Sequence, residues 1–106
     1  MNEYILVIST VPSEAEGNDI AQKIVTERLA ACVTVSSANQ SFYRWEEHIS
    51  HDQEFILFIK TRASLFSNLE KRIKALHSYQ VPEIIALPIL AGSNEYLDWI
   101  SQNTGS

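Results

Sequence analysis

One thiol and three imidazoles carry whatever soft-metal chemistry this sequence has: Cys32, His48, His51 and His77. Thiolate suits Cu(I) and imidazole suits Cu(II), so these four are the side chains that could take a soft metal. Cys32 reads as a metal thiolate, shared across subunits, or as a small apolar core residue, the usual state of free cysteine. A reactive thiol needs exposure and a lowered pKa. His77 reads as a ligand or as a ring complementing the negative end of a helix. Glu83 completes a site with His77 and Tyr79, or pairs with a lysine across a subunit boundary. His48 and His51 point to opposite faces of a strand, so only a loop would bring them together; a solvated turn is the plainer reading. Lys60, Arg62 and Glu54 either line a cleft between subunits or form structural ion pairs. Trp45 and Trp99 read as packing anchors.

The elements that position these residues follow from hydrophobic periodicity. Tyr4–Ser9 is a continuous, β-branched apolar run, expected as a buried central strand stopped by Pro12. Ser13 and Glu16 make a capping-box pattern for a first helix, with Asn18 or Asp19 as rival caps because Gly17 weakens the start. Ile20, Ile24, Val25 and Leu29 then mark one helical face. Cys32–Val35 is strand-like. Phe42, Tyr43 and Trp45 face Phe55–Ile59 across a hairpin whose turn lies within 46–53, a stretch without Gly or Pro to fix a turn type. Leu65, Phe66, Leu69, Ile73 and Leu76 describe a second amphipathic helix. Pro82 and Pro88 bracket a last strand, which is therefore short or peripheral. Ser93 caps a terminal helix bearing Tyr96, Leu97, Trp99 and Ile100.

The order β-α-β-β-α-β plus a helix predicts an α+β, ferredoxin-like antiparallel sheet with helices on one face. The other face and the aromatic hairpin would be bare, an aggregation hazard that oligomerisation removes. At 106 residues, with 45% hydrophobic and 20% charged side chains, the chain reads as one globular domain over 1–106. Its net charge of −5 and dispersed basic residues argue against nucleic acid. No apolar run reaches the roughly 18 residues of a membrane span. The acidic start lacks a basic leader, and the single cysteine allows no internal disulfide, so a cytoplasmic protein is expected.

Several separated motifs run through the chain in order: Thr10-Val11-Pro12, Glu27-Arg28-Leu29-Ala30-Ala31-Cys32-Val33, Ser41-Phe42-Tyr43-Arg44-Trp45, Ile59-Lys60-Thr61, His77-Ser78-Tyr79-Gln80-Val81-Pro82-Glu83, and Tyr96-Leu97-Asp98-Trp99-Ile100. In that order and spacing the sequence resembles the CutA family of divalent-cation tolerance proteins. The resemblance implies a ferredoxin-like fold, a compact homotrimer of PII-like architecture, and copper binding, with no catalysed reaction established for the family. Cys32 and His77 sit in two of these motifs and, together with Glu83, are the candidate metal ligands. Two departures stand out. Glu47 occupies the usual glycine of a W-x-G motif, which strains the hairpin. Ser78 occupies the usual proline of H-P-Y, which would loosen the approach to the last strand.

Other functions of this element order fit less well. An acylphosphatase-like enzyme needs a phosphate-gripping arginine after the first strand, where this chain has Glu14, Glu16 and Asp19. No P-loop, G-x-G-x-x-G or H-E-x-x-H pattern occurs, and the basic aromatic strand motif of RNA-recognition modules is missing. The remaining rival is a PII-like signalling or scaffold trimer binding a small ligand or protein partner at subunit clefts.

Overall fold

In the computed structural model, residues 3–105 are described. The elements are β1 (Tyr4–Val11), α1 (Glu14–Thr26), β2 (Cys32–Trp45), β3 (His48–Arg62), α2 (Phe66–Leu76), β4 (Ile84–Pro88) and α3 (Asn94–Gln102), with a 3-10 turn at Ala63–Leu65 leading into α2. The strands form a four-stranded sheet ordered β2-β3-β1-β4, antiparallel throughout. This is the expected α+β architecture.

Alternation along β1 assigns the two faces. Ile5, Val7 and Val11 turn inward with Leu57 and Ile59 of β3, and Ile20, Ile24, Leu69 and Ile73 from α1 and α2 close the core over them. Val25, expected on the core face of α1, is 39% exposed, and Leu29 lies beyond the helix end. On the opposite face, Ile8 sits between Phe58 and Ile85, and Leu6 between Lys60 and Leu87. Ile85 and Leu87 remain 50% and 43% exposed. α3 closes one end of that second face: Tyr4 Oη lies 2.7 Å from Ser101 Oγ, and Arg62, paired with Tyr4 in the ladder, donates to Thr104.

Ser13 is the N-cap of α1, its hydroxyl accepting the Glu16 N–H at 3.1 Å, so the rival caps are not used. Ser93 caps α3 in the same way. Pro82 and Pro88 do confine β4 to an edge of five residues.

The hairpin is longer than the sequence reading allowed. Trp45 pairs directly with His48, so the turn is Glu46-Glu47 alone and 48–53 is strand. Both glutamates have positive φ, 49° and 67°, as a type I′ turn demands. Polar composition hid the strand, because residues beyond the sheet's covered region alternate without burial. A bulge between Val35 and Ala38 separates this outer hairpin from the sheet proper. There Ser36 Oγ substitutes for the ladder, accepting the Ile56 N–H at 2.8 Å.

Candidate functional site

The outer hairpin and the loop entering β4 flank an open cleft of about 620 Å³. Phe42, Tyr43 and Trp45 form its aromatic wall, and Glu54, Tyr79 and Glu83 supply its polar groups. Glu54 is 7% exposed, yet among the described residues no Lys, Arg or His lies within ion-pair distance of it or of Glu83. Its carboxylate accepts the Tyr79 hydroxyl at 2.6 Å.

The loop that delivers Tyr79 is fixed by a relay of hydrogen bonds. His77 follows α2 as its C-cap, and its ring turns away from the helix toward β1. Nε2–H donates to the Thr10 carbonyl at 2.7 Å, and Nδ1 accepts the Tyr79 backbone N–H at 3.0 Å. The single neutral tautomer with its proton on Nε2 satisfies both. Glu16 locks the next residue, its carboxylate accepting both the N–H and the hydroxyl of Ser78 at 3.0 Å. Ser78 therefore tightens the approach to β4, contrary to the loosening expected from the absent proline: proline has no N–H to give.

Charge and burial perturb the cleft's titrating groups together. Burial, then the hydrogen bond to Glu54, pushes the Tyr79 phenol far above its ordinary range. Burial and the neighbouring Glu54 charge raise the Glu83 carboxyl. Tyr43 is raised chiefly by donating to Asp52. The local field is negative, with no basic side chain lining the cleft.

The expected ligands are only partly assembled. Glu83 lines the cleft beside Glu54 and Tyr79. His77 lies directly behind, with its ring 4.8 Å from that of Tyr79, but both nitrogens are engaged and its side chain is fully buried. Cys32 opens β2 opposite Lys60, whose ammonium lies 4.0 Å from the sulfur. Glu54 is six positions from Lys60 along β3, about 20 Å at strand rise. One chain therefore does not unite Cys32 with Glu83, and among the described residues no three His, Cys, Asp or Glu side chains converge. His48 and His51 lie on strand rather than in a turn; His51 stacks on Phe42 at 4.3 Å and bonds Gln40. Neither tryptophan is buried in the single chain: Trp45 is 47% and Trp99 40% exposed. Arg62 anchors the C-terminal segment and Lys60 stands by Cys32, so these cations make no ion-pair set with Glu54. Glu54 is the residue whose role sequence reasoning understated. An acidic side chain placed before the apolar run Phe55–Ile59 was its one signal.

A family model described as CutA1 divalent ion tolerance protein matches residues 5–103. The chain is 50% identical over 105 residues to the divalent-cation tolerance protein CutA of Thermus thermophilus, covering 99% of this chain and 100% of that protein. It is 46% identical over 100 residues to the chloroplastic protein CutA of Arabidopsis thaliana, covering 94% of this chain and 55% of that longer protein. Among solved structures, CutA1 of Oryza sativa superposes with a TM-score of 0.96 at 43% identity, covering 99% and 96% of the two chains. The CutA of Archaeoglobus fulgidus, named as periplasmic, superposes at 0.92 with 38% identity, covering 94% and 97%.

Proposed function

The chain belongs to the CutA1 divalent ion tolerance family, and on that premise we propose that it binds copper or another divalent metal ion as a cytoplasmic homotrimer without catalysing a reaction. The observation that carries this reading is the Glu54 carboxylate, buried at the cleft floor with no Lys, Arg or His beside it among the described residues. A buried charge is stable only when paired or coordinated. Glu83 and Glu54 supply oxygen donors to an entering ion. Cys32 supplies sulfur, favoured by copper, where a second subunit brings it near. His77 reaches a metal only by releasing Thr10 or Tyr79; held as it is, it positions the Tyr79 that orients Glu54.

The trimer rests on the second sheet face. Leu6, Ile8, Phe58, Ile85 and Leu87 form an apolar patch that α3 covers at one end only. Packing against copies of itself would remove it from water, at roughly 25 cal/mol per Å². Light scattering should then give about three times the 12.0 kDa chain mass; a monodisperse monomer refutes the assembly.

The size of the cleft favours a second reading, a PII-like signalling or scaffold trimer that holds a small ligand. A thermal-shift screen of metals against nucleotides and organic anions separates the two, because a ligand binding only the native state raises its stability. A shift with nucleotide alone would sink the metal reading.

A further inference from the structure

We propose that a second copy of the chain completes the Glu54 site: in the metal-free assembly, the counter-charge of Glu54 is the ammonium of Lys60 of the partner subunit. This rests on the assembly half of the proposed function and goes beyond it by naming the side chain that each copy lends its neighbour. Elimination leads to Lys60. The sequence holds 8 Lys and Arg residues. Lys23, Arg72 and Lys74 are paired with Asp19, Glu27 and Glu70. Arg28 donates to the Gln102 carbonyl, and Arg62 to Thr104. Arg44, Lys60 and Lys71 remain. Lys71 belongs to α2, on the covered side of the sheet. Arg44 lies opposite Ile49, and alternation turns it to the face away from Glu54, which lies opposite Asn39. Lys60 alone shares the open face with Glu54, and among the described residues no Asp or Glu lies within ion-pair distance of it.

The open face therefore carries two opposite, uncompensated charges on β3, with Ile56 and Phe58 between them. Within one chain they stand about 20 Å apart and cannot meet. Head-to-tail contact, which a threefold ring repeats at every boundary, sets the Lys60 end of one face against the Glu54 end of the next. Association buries both groups further, and an ion left unpaired there would be costly. Tyr79 takes one oxygen of Glu54 and leaves acceptor capacity for an ammonium. Lys60 Nζ also lies 4.0 Å from the Cys32 sulfur, so the approach that delivers a thiolate to the neighbouring cleft delivers this cation with it. A divalent ion entering the cleft then displaces the ammonium.

The test is sedimentation velocity of the metal-free full chain across chain concentration, at a fixed urea concentration that partly dissociates the wild type. Lys60→Met keeps the length of the stem, and Glu54→Gln keeps an oxygen for the Tyr79 hydroxyl. Each should raise the chain concentration at half dissociation at least about tenfold. The double variant should then dissociate no more readily than the weaker single variant. Sites about 20 Å apart in one chain act independently, so without the pair the two effects would multiply. Multiplied effects overturn the proposal, as do single variants that dissociate like the wild type. If circular dichroism shows Glu54→Gln unfolded, Lys60→Arg decides: assembly recovered relative to Lys60→Met supports the pair, and equal loss in both overturns it. A monomeric wild type removes this inference together with the assembly. None of these readouts involves metal, so the ion pair and metal uptake stand or fall separately.

Discussion

The Glu16 carboxylate bypasses the cap of its own helix and accepts both the N–H and the hydroxyl of Ser78, 62 positions along the chain, each at 3.0 Å. Ser13 performs its half of the capping box, while Glu16 is diverted to brace the loop between α2 and β4. The brace links the start of α1 to the residue just before Tyr79, and so to the cleft.

Glu16→Ala and Ser78→Ala should therefore be coupled. A double-mutant cycle read by urea denaturation should return an interaction energy of about 0.5–1.5 kcal/mol. Ser78→Ala keeps the backbone N–H bond, so additive effects would mean that the hydroxyl bond contributes nothing measurable in solution.

Removing the imidazole should be among the costlier single changes. His77→Ala empties a buried site and strands the Thr10 carbonyl and the Tyr79 N–H, costing about 2–4 kcal/mol of stability. The unfolding midpoint measures this. A loss below about 1 kcal/mol would mean that the loop does not depend on the ring.

The turn offers a stabilising change. Glu46 and Glu47 sit at φ 49° and 67°, where Asn-Gly is favoured over side chains with a long stem. Replacing the pair by Glu46→Asn and Glu47→Gly should raise stability by about 1 kcal/mol, read as a higher urea midpoint at unchanged slope. No gain would indicate that the outer hairpin already frays in the native state.

Glu83 gives the pH dependence. Its carboxyl is held above the ordinary carboxylate value of 4.5 by burial and by Glu54. Below that ordinary value the group is protonated whether the chain is folded or not, and it exerts no effect. As pH rises through the elevated folded value, charge forms in an unfavourable setting and stability is lost. Glu83→Gln should thus melt above the wild type at pH 7 and with it near about pH 4. The difference should stay under about 1 kcal/mol, because solvent screens a side chain this open. A variant less stable than wild type at pH 7 would mean that the carboxylate has a cationic partner in solution.

Local patterning in the sequence carries most of the fold. The apolar alternation of β1, the Ser13 and Ser93 caps and the prolines flanking β4 each express a backbone rule within a few residues. The 48–53 strand was hidden because its side chains are mostly solvent-facing, so no burial pattern marks them. Site residues were legible by type and not by partnership. His77 and Glu83 were found as candidates, but hydrogen bonds spanning from Thr10 to His77 and from Glu54 to Tyr79 arise only from tertiary folding. Cys32 shows the same limit, since register across β2 and β3 sets its distance from the cleft.

Under the proposed function, this chain takes up divalent metal through its cleft. Equilibrium dialysis of the purified protein against Cu(II) and Zn(II) tests it, beside folded Glu83→Gln, Cys32→Ala and His77→Ala variants. Stoichiometric uptake, lost in Glu83→Gln, is the predicted result, and loss in Cys32→Ala as well would show that a second subunit contributes the thiolate. Weak uptake unchanged by all three substitutions would be surface adsorption, and would contradict the claim.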